Sequence, residues 1–187
     1  MTPQPEFIPF RTPADRGWEE AQEIYRNSFP RMEQRPAQEH LRALADPAFE
    51  ADGIWLGQQL AGILYHWNYD DTWYVEHLAV SPALRGQNMG SRALEAFCRD
   101  RRVILEIDPP VDDISIRRLR FYRRLGFVEN PHDYIHPSFS PPFEPHRLVL
   151  MSYPTPLTDP EARTFADFVR ERVLRYSERE APALPRL

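Results

Sequence analysis

Arg85-Gly86-Gln87-Asn88-Met89-Gly90-Ser91 is the segment whose residue types and spacing point most directly to chemistry. An apolar run before it, Val75 to Val80, reads as a strand that Pro82 closes. After it, Leu94, Phe97 and Cys98 fall on one helical face. A strand, a glycine-bearing polar turn and a helix start make an anion site. First-turn N–H groups lack intrahelical partners, and the macrodipole places partial positive charge beside them. A phosphate or pyrophosphate is the natural occupant. Two common phosphate loops are excluded. A Walker A loop needs Gly-Lys-Ser/Thr, and all 23 basic residues of this chain are Arg. A dinucleotide fingerprint needs three glycines at GxGxxG spacing, where this turn offers only Gly86 and Gly90.

The turn resembles motif A of the GNAT acetyltransferase superfamily, in which Arg/Gln-x-x-Gly-x-Gly/Ala follows a strand and cradles the pyrophosphate of acetyl-CoA. Arg85, Asn88 and Gly90 stand at the pattern positions, with Asn in place of the middle glycine. Asn tolerates left-handed backbone angles well, so the loop is expected to keep its shape. A second stretch, Phe121-Tyr122-Arg123-Arg124-Leu125-Gly126-Phe127, is similar to the family's FYxxxGF-like segment. Gly126 suits a helix C-terminal stop on physical grounds alone. The buried-strand pattern Val103 to Ile107 lies between the two motifs. The chain departs from many family members at Ser115 and Arg118, where those carry Asn and Ala.

The resemblance implies an acetyl-CoA-dependent N-acetyltransferase acting by direct attack in a ternary complex. By that resemblance the turn Arg85, Gly86, Gln87, Asn88, Met89, Gly90 and Ser91 holds the pyrophosphate. The backbone of Leu78, Ala79 and Val80 holds the acetyl and pantetheine portions. A preorganised main-chain N–H donor to the acetyl carbonyl is worth about 3 kcal/mol of barrier. Glu76 is the expected base for the amine, directly or through water. Tyr122 is expected to protonate the departing sulfur, since a phenol near 10 can donate to a thiolate whose thiol lies near 8.5. His77, next to Glu76 on a regular strand, is expected on the opposite side and in a structural role.

These groups need elements to position them. A strand, Phe7 to Phe10, precedes a helical pattern of Trp18, Ala21, Ile24 and Tyr25. A second helical stretch follows Pro36. Strands Ile54 to Gly57 and Leu60 to Trp67 read as a hairpin. Beyond Phe127 come strands to Ile135 and from Leu148 to Tyr153. A final amphipathic helix spans about 159–177 and starts at Asp159-Pro160, before a loose tail at 181–187. The order β-α-α-β-β-β-α-β-α-β-β matches the GNAT arrangement: an α/β class fold with a mixed sheet and an added C-terminal helix. The chain, 1–187, is expected to be a single domain.

Composition narrows the function classes. One cysteine, Cys98, excludes an intrachain disulfide, a CxxC redox pair and a Cys-rich zinc site. Without lysine there is no Schiff base and no PLP attachment. Net charge of −5 argues against nucleic acid as the main partner. Neither a membrane span nor a signal peptide is legible, so a cytoplasmic protein is expected. No metal is expected, because His132 and His136 lie in an extended, proline-bracketed segment and no HExxH occurs.

The acceptor is expected to be a small-molecule or chain-terminal amine. Its pocket is expected from Phe29 to Pro36, Trp67 to Asp71 and Tyr134 to His146, with the proline-rich loop Pro137 to Pro145 as a cap. Aromatics and acids there (Trp67, Tyr69, Tyr134, Phe139, Phe143, Glu33, Asp70, Asp71, Glu144) would suit a cationic amine. Arg31 and Arg35 would suit an acceptor with a carboxylate. The sequence does not choose between these. It also leaves open the length of the acyl donor, a homodimer through the added helix, and a non-catalytic acyl-CoA sensor on the same scaffold.

Overall fold

Apolar and aromatic runs broken by Gly, Asp and Pro turns form seven strands in the structure, a computed structural model that describes residues 3–178. They are β1 (Glu6–Phe10), β2 (Phe49–Leu56), β3 (Gln59–Tyr69), β4 (Thr72–Val80), β5 (Arg102–Ile107), β6 (Val128–Pro137) and β7 (Pro145–Tyr153). The sheet order is β1-β2-β3-β4-β5-β7-β6. Only β4 and β5 pair in parallel; every other neighbour is antiparallel. The helices are α1 (Trp18–Ser28), α2 (Ala37–Ala43), α3 (Met89–Cys98), α4 (Asp113–Arg124) and α5 (Asp159–Glu171). This is the expected α/β class and element order. The expected final helix stops at Glu171 and continues as a 3-10 turn, Val173–Tyr176. The tail expected to be loose, 181–187, lies outside the described residues. No described helix is long and apolar enough to cross a membrane.

Local sequence fixes where these helices begin. Asp112 caps α4 by accepting from the backbone N–H of Ile114 and Ser115, and Ser115 Oγ accepts from the Asp112 backbone N–H. Thr158 and Glu161 close the same reciprocal box on α5, with Pro160 in its first turn. Each such cap is worth about 1 kcal/mol. Ser115 thus has a structural occupation at the position where it departs from the family pattern.

The two faces of the sheet bury different side chains. Against α1, α2 and α5 lies an aromatic core that includes Trp18, Tyr25, Phe49, Tyr65, Trp67 and Phe165. Against α3 and α4 lies a largely aliphatic core that includes Leu64, Val75, Leu94, Val103, Leu105 and Met151. Cys98 is buried in the second, as its helical position suggested.

Two irregularities in the sheet make room for a site. The β4–β5 ladder runs from Thr72↔Arg102 to Val75↔Leu105 and stops there, so the strands part beyond it. The β3–β4 register also slips, with Tyr65 opposite His77 and His66 opposite Val75. Glu76 is the extra residue, and such a bulge re-aims the side chains that follow. Near the open end β3 approaches β4 closely: a Cβ on Gly62 would lie 2.3 Å from the Ala79 carbonyl oxygen. Only glycine fits there.

Candidate active site

Where β4 leaves β5, the main-chain groups from Glu76 to Val80 that point away from β3 lose their sheet partners and face a gap. Leu78 and Val80 turn their side chains toward the aliphatic core, and Ala79 turns toward the aromatic one. Their backbone is therefore the part presented to the gap. A short 3-10 turn, Pro82–Leu84, carries the chain away from β4. Arg85, Gly86, Gln87 and Asn88 follow as an exposed loop. Gly86 has φ +78° and Asn88 has φ +56°, so both use the left-handed region the loop demands. No side chain caps α3. Its first-turn N–H groups, from Met89, Gly90 and Ser91, point out of the helix start with the macrodipole behind them. Met89 itself is buried, so only its backbone can serve a ligand. A Cβ on Gly90 would meet Val80 and Phe121 at 3.6 and 3.7 Å, ordinary contact distances, so the start of α3 lies near β4 and α4.

Tyr122 lies on α4 against the aliphatic core, edge-on to Phe121 and Phe127. Among the described residues nothing hydrogen-bonds its hydroxyl, and burial pushes the phenol up to about 12. It keeps its proton throughout the neutral range. Hydrogen bonding to a departing sulfur is then easier than complete proton transfer to it.

The opposite mouth of the gap is a cavity of 70 Å³ whose lining includes Glu33, Glu76, His77, Glu106, Asp108 and His146. Glu76 has a side chain only 3% exposed. Arg35 Nη2 donates to its Oε1 at 2.6 Å and Trp67 Nε1 donates to its Oε2 at 2.8 Å. Burial works to raise the Glu76 carboxyl, but the Arg35 guanidinium and the Trp67 N–H hold it below the usual carboxylate range. Arg35 is fully buried and stacks over Phe139, Phe49 and Trp67 at 4.7, 5.2 and 5.2 Å.

His77 does not lie opposite Glu76, as a regular strand would place it. The bulge puts both on the aromatic face, with His77 Nδ1 3.9 Å from Glu76 Oε2. His77 packs edge-on to Tyr25 and Phe29, and its Nε2 lies 2.9 Å from the Glu33 carbonyl oxygen. Burial pushes its imidazole down to about 4, so it is neutral at physiological pH. The expected pocket wall Trp67 to Asp71 is also corrected. Thr72 begins β4 at the end remote from the gap, and Tyr69 stacks on Phe168 of α5. Trp67 reaches the site only through its N–H to Glu76. The segments around Glu33 and around Phe139 do line the cavity. Phe139 donates its backbone N–H to the Met32 carbonyl at 2.9 Å, which pins the proline-rich loop over the mouth.

Sequence reasoning missed Glu106, Asp108 and the pairing of Arg35. Glu106 accepts from the Tyr74 hydroxyl at 2.7 Å; its Oε1 makes no hydrogen bond and is buried beside the Tyr134 hydroxyl, which is equally unbonded. Asp108 receives Arg118 Nη1 at 2.7 Å and has His146 Nε2 at 3.1 Å. Arg118, the other departure from the family pattern, is therefore spent on the acceptor side. The available signal was Glu106 itself, a carboxylate inside the run Val103 to Ile107.

Acetyl-CoA fits these residues: an uncapped helix start behind a left-handed loop suits its pyrophosphate, and the parted strands leave backbone groups for its pantetheine arm. Residues 18–127 match the model of the Acetyltransferase (GNAT) family. A protein from Bacteroides thetaiotaomicron assigned to that family is 27% identical, with a TM-score of 0.85 over 90% of this chain and 98% of that one. An acetyltransferase from Bacillus subtilis solved with CoA is 15% identical, with a TM-score of 0.53 over 80% of this chain and 96% of that one. The ribosomal-protein-S18-alanine N-acetyltransferase from Escherichia coli is 14% identical, with a TM-score of 0.55 over 83% and 96%. The last two share the fold. Comparison with curated proteins returned no match. A family model covering more than half of the chain, together with this fold, makes the protein a member of the GNAT acetyltransferase family.

Proposed function

We propose that this chain moves the acetyl group of acetyl-CoA to the nitrogen of an amine, on a small molecule or a chain terminus, within a ternary complex. The parting of β4 and β5 carries this reading. That gap joins an anion-binding helix start on one face of the sheet to a carboxylate-lined cavity on the other. Acetyl-CoA supplies an activated acyl carbon. The backbone of Leu78, Ala79 and Val80 orients it and offers N–H groups to the carbonyl oxygen. Arg85, Gly86, Gln87 and Asn88, with the N–H groups of Met89, Gly90 and Ser91, bind the pyrophosphate. Tyr122 hydrogen-bonds the departing sulfur. Holding both reactants in line supplies much of the rate.

Two carboxylates compete for the amine proton. Glu76 is ionised and lines the cavity, which supports the role expected for it, but Arg35 and Trp67 occupy both of its oxygens. Glu106 is favoured by its buried, partnerless Oε1. In this second reading Glu76 is a fixed charge that holds the bulge. Titration of acetyl-CoA into the protein and into Asn88→Trp tests the cofactor, and CoA release with amines tests transfer. Micromolar binding lost in the variant, with release on adding amine, is the expected result. Binding with no turnover on any amine would instead indicate an acyl-CoA sensor. Glu106→Gln and Glu76→Gln separate the two bases: the true base loses the rising limb of the pH–rate profile.

A further inference from the structure

We propose that the acceptor is an aliphatic diamine, with its reacting nitrogen against Glu106 and its second ammonium held by Glu33 and Asp108. This rests on the acetyl-transfer reading and adds the substrate class. Charge is the first argument. The cavity presents Glu33, Glu76, Glu106 and Asp108, and two guanidiniums oppose them, Arg35 on Glu76 and Arg118 on Asp108. Glu33 and Glu106 are in no ion pair among the described residues. Two carboxylates thus face the cavity with no guanidinium against them, and a diammonium matches both. An acceptor carrying a carboxylate would add a third. The arginines that might receive one are not available: Arg35 is committed to Glu76, and Arg31 does not line the cavity.

Unpartnered buried groups are the second argument. Glu106 Oε1 and His77 Nδ1 are both buried without a hydrogen bond, Glu106 Oε1 beside the equally unbonded Tyr134 hydroxyl, and the His77 side chain is 3% exposed. Each is an acceptor when unprotonated, and an ammonium supplies donors. Spacing is the third. Glu106 on β5 and Asp108 just past its end are two residues apart, about 7 Å if the chain stays extended. Glu33, Asp108 and His146 converge at the outer end, with their ligand atoms within 4.8 Å of one another. Burial raises the Glu33 carboxyl, and the Asp108 charge adds to it, while Arg118, held on Asp108, offsets only part of the rise. A cavity of 70 Å³ walled by Ile107, Leu148 and Phe139 suits a slim methylene chain.

The reacting ammonium gives up one proton to Glu106 before attack. The nitrogen–carbon bond then forms as the carbon–sulfur bond breaks, and the second proton leaves with the sulfur as free CoA.

The test measures CoA release by the full chain with acetyl-CoA and putrescine, butylamine or γ-aminobutyrate. Putrescine is expected to exceed butylamine by about tenfold or more in kcat/KM, with γ-aminobutyrate poorest. Glu33→Gln and Asp108→Asn should bring the putrescine-to-butylamine ratio toward one through KM, in variants whose acetyl-CoA affinity verifies their fold. Butylamine turned over as well as putrescine would overturn the diamine assignment and leave acetyl transfer standing. Preference for γ-aminobutyrate would overturn it with the opposite charge logic. Failure to bind acetyl-CoA would remove the acetyl-transfer reading itself. Calorimetry of putrescine into the CoA-loaded chain gives a readout independent of turnover, and no binding there also overturns the assignment.

Discussion

The cofactor side and the acceptor side of the gap are built by opposite means. On the cofactor side, one contiguous stretch from Leu78 to Ser91 supplies backbone N–H groups, a left-handed turn and a helix start. Its side chains are mostly exposed or turned into the aliphatic core, so its chemistry is main-chain chemistry. On the acceptor side, Glu33, Glu76, the pair Glu106 and Asp108, and His146 come from four separate places in the chain order. There the chemistry belongs to side chains, and an aromatic core holds them in a low-dielectric setting. A local backbone device tolerates substitution of its side chains. A buried charge such as Glu76 does not, because it depends on Arg35, a partner far away in sequence.

The largest effect should therefore come from breaking the Arg35–Glu76 pair. Arg35→Met leaves Glu76 buried and unpaired and is expected to cost about 3–5 kcal/mol in urea unfolding. Adding Glu76→Gln should recover much of that loss; two independent, additive losses would show that the pair is not coupled. Tyr122→Phe tests the other side of the gap. It should lower turnover about 100-fold with acetyl-CoA affinity retained, near the low end for acid catalysis because the phenol is held up at about 12. Equal turnover would make Tyr122 a packing residue.

Gly62→Ala probes the strand contact that both sides share. The new methyl would meet the Ala79 carbonyl at 2.3 Å, so a loss of about 1–3 kcal/mol is expected, with weaker acetyl-CoA binding as β4 shifts. Acid sensitivity should belong to the acceptor side. Burial pushes His40 to about 3 and His77 to about 4, both from 6.5. The unfolded chain takes up protons first as pH falls below 6.5. Stability from these groups is complete above that pH and is lost progressively as pH falls, toward about 4 for His77 and about 3 for His40. Denaturation midpoints at several pH values check this, and His77→Gln should flatten the slope. The smallest effect is expected at Asn88→Gly, where the left-handed angle is already satisfied. Stability should rise by no more than about 1 kcal/mol, with acetyl-CoA binding preserved.

The cofactor side was legible in the sequence for a physical reason. An apolar strand run, a Gly/Asn turn and a helical face are local patterns, and the N-terminal N–H groups of a helix bind anions wherever they occur. The left-handed Asn88 and the helix stop at Gly126 could be expected from intrinsic backbone preferences. The acceptor side was legible only as a list of segments, two of which line the cavity and one of which does not. His77 was assigned to the wrong face because alternation assumes a regular strand. The bulge at Glu76 arises from the pairing of β3 with β4, which no single strand encodes on its own.

The sequence by itself determined the order of elements, the left-handed turn before α3, the place of Tyr122 on α4 and the family resemblance, because each rests on neighbours within a few residues. Only the tertiary structure decided which carboxylates share a cavity, which are neutralised by arginine, and which keep a buried oxygen without a partner. Those outcomes depend on burial and on distances between residues such as Arg35 and Glu76, or Asp108 and His146. Side-chain charge acts through space at those distances, so separation along the chain carries no information about it.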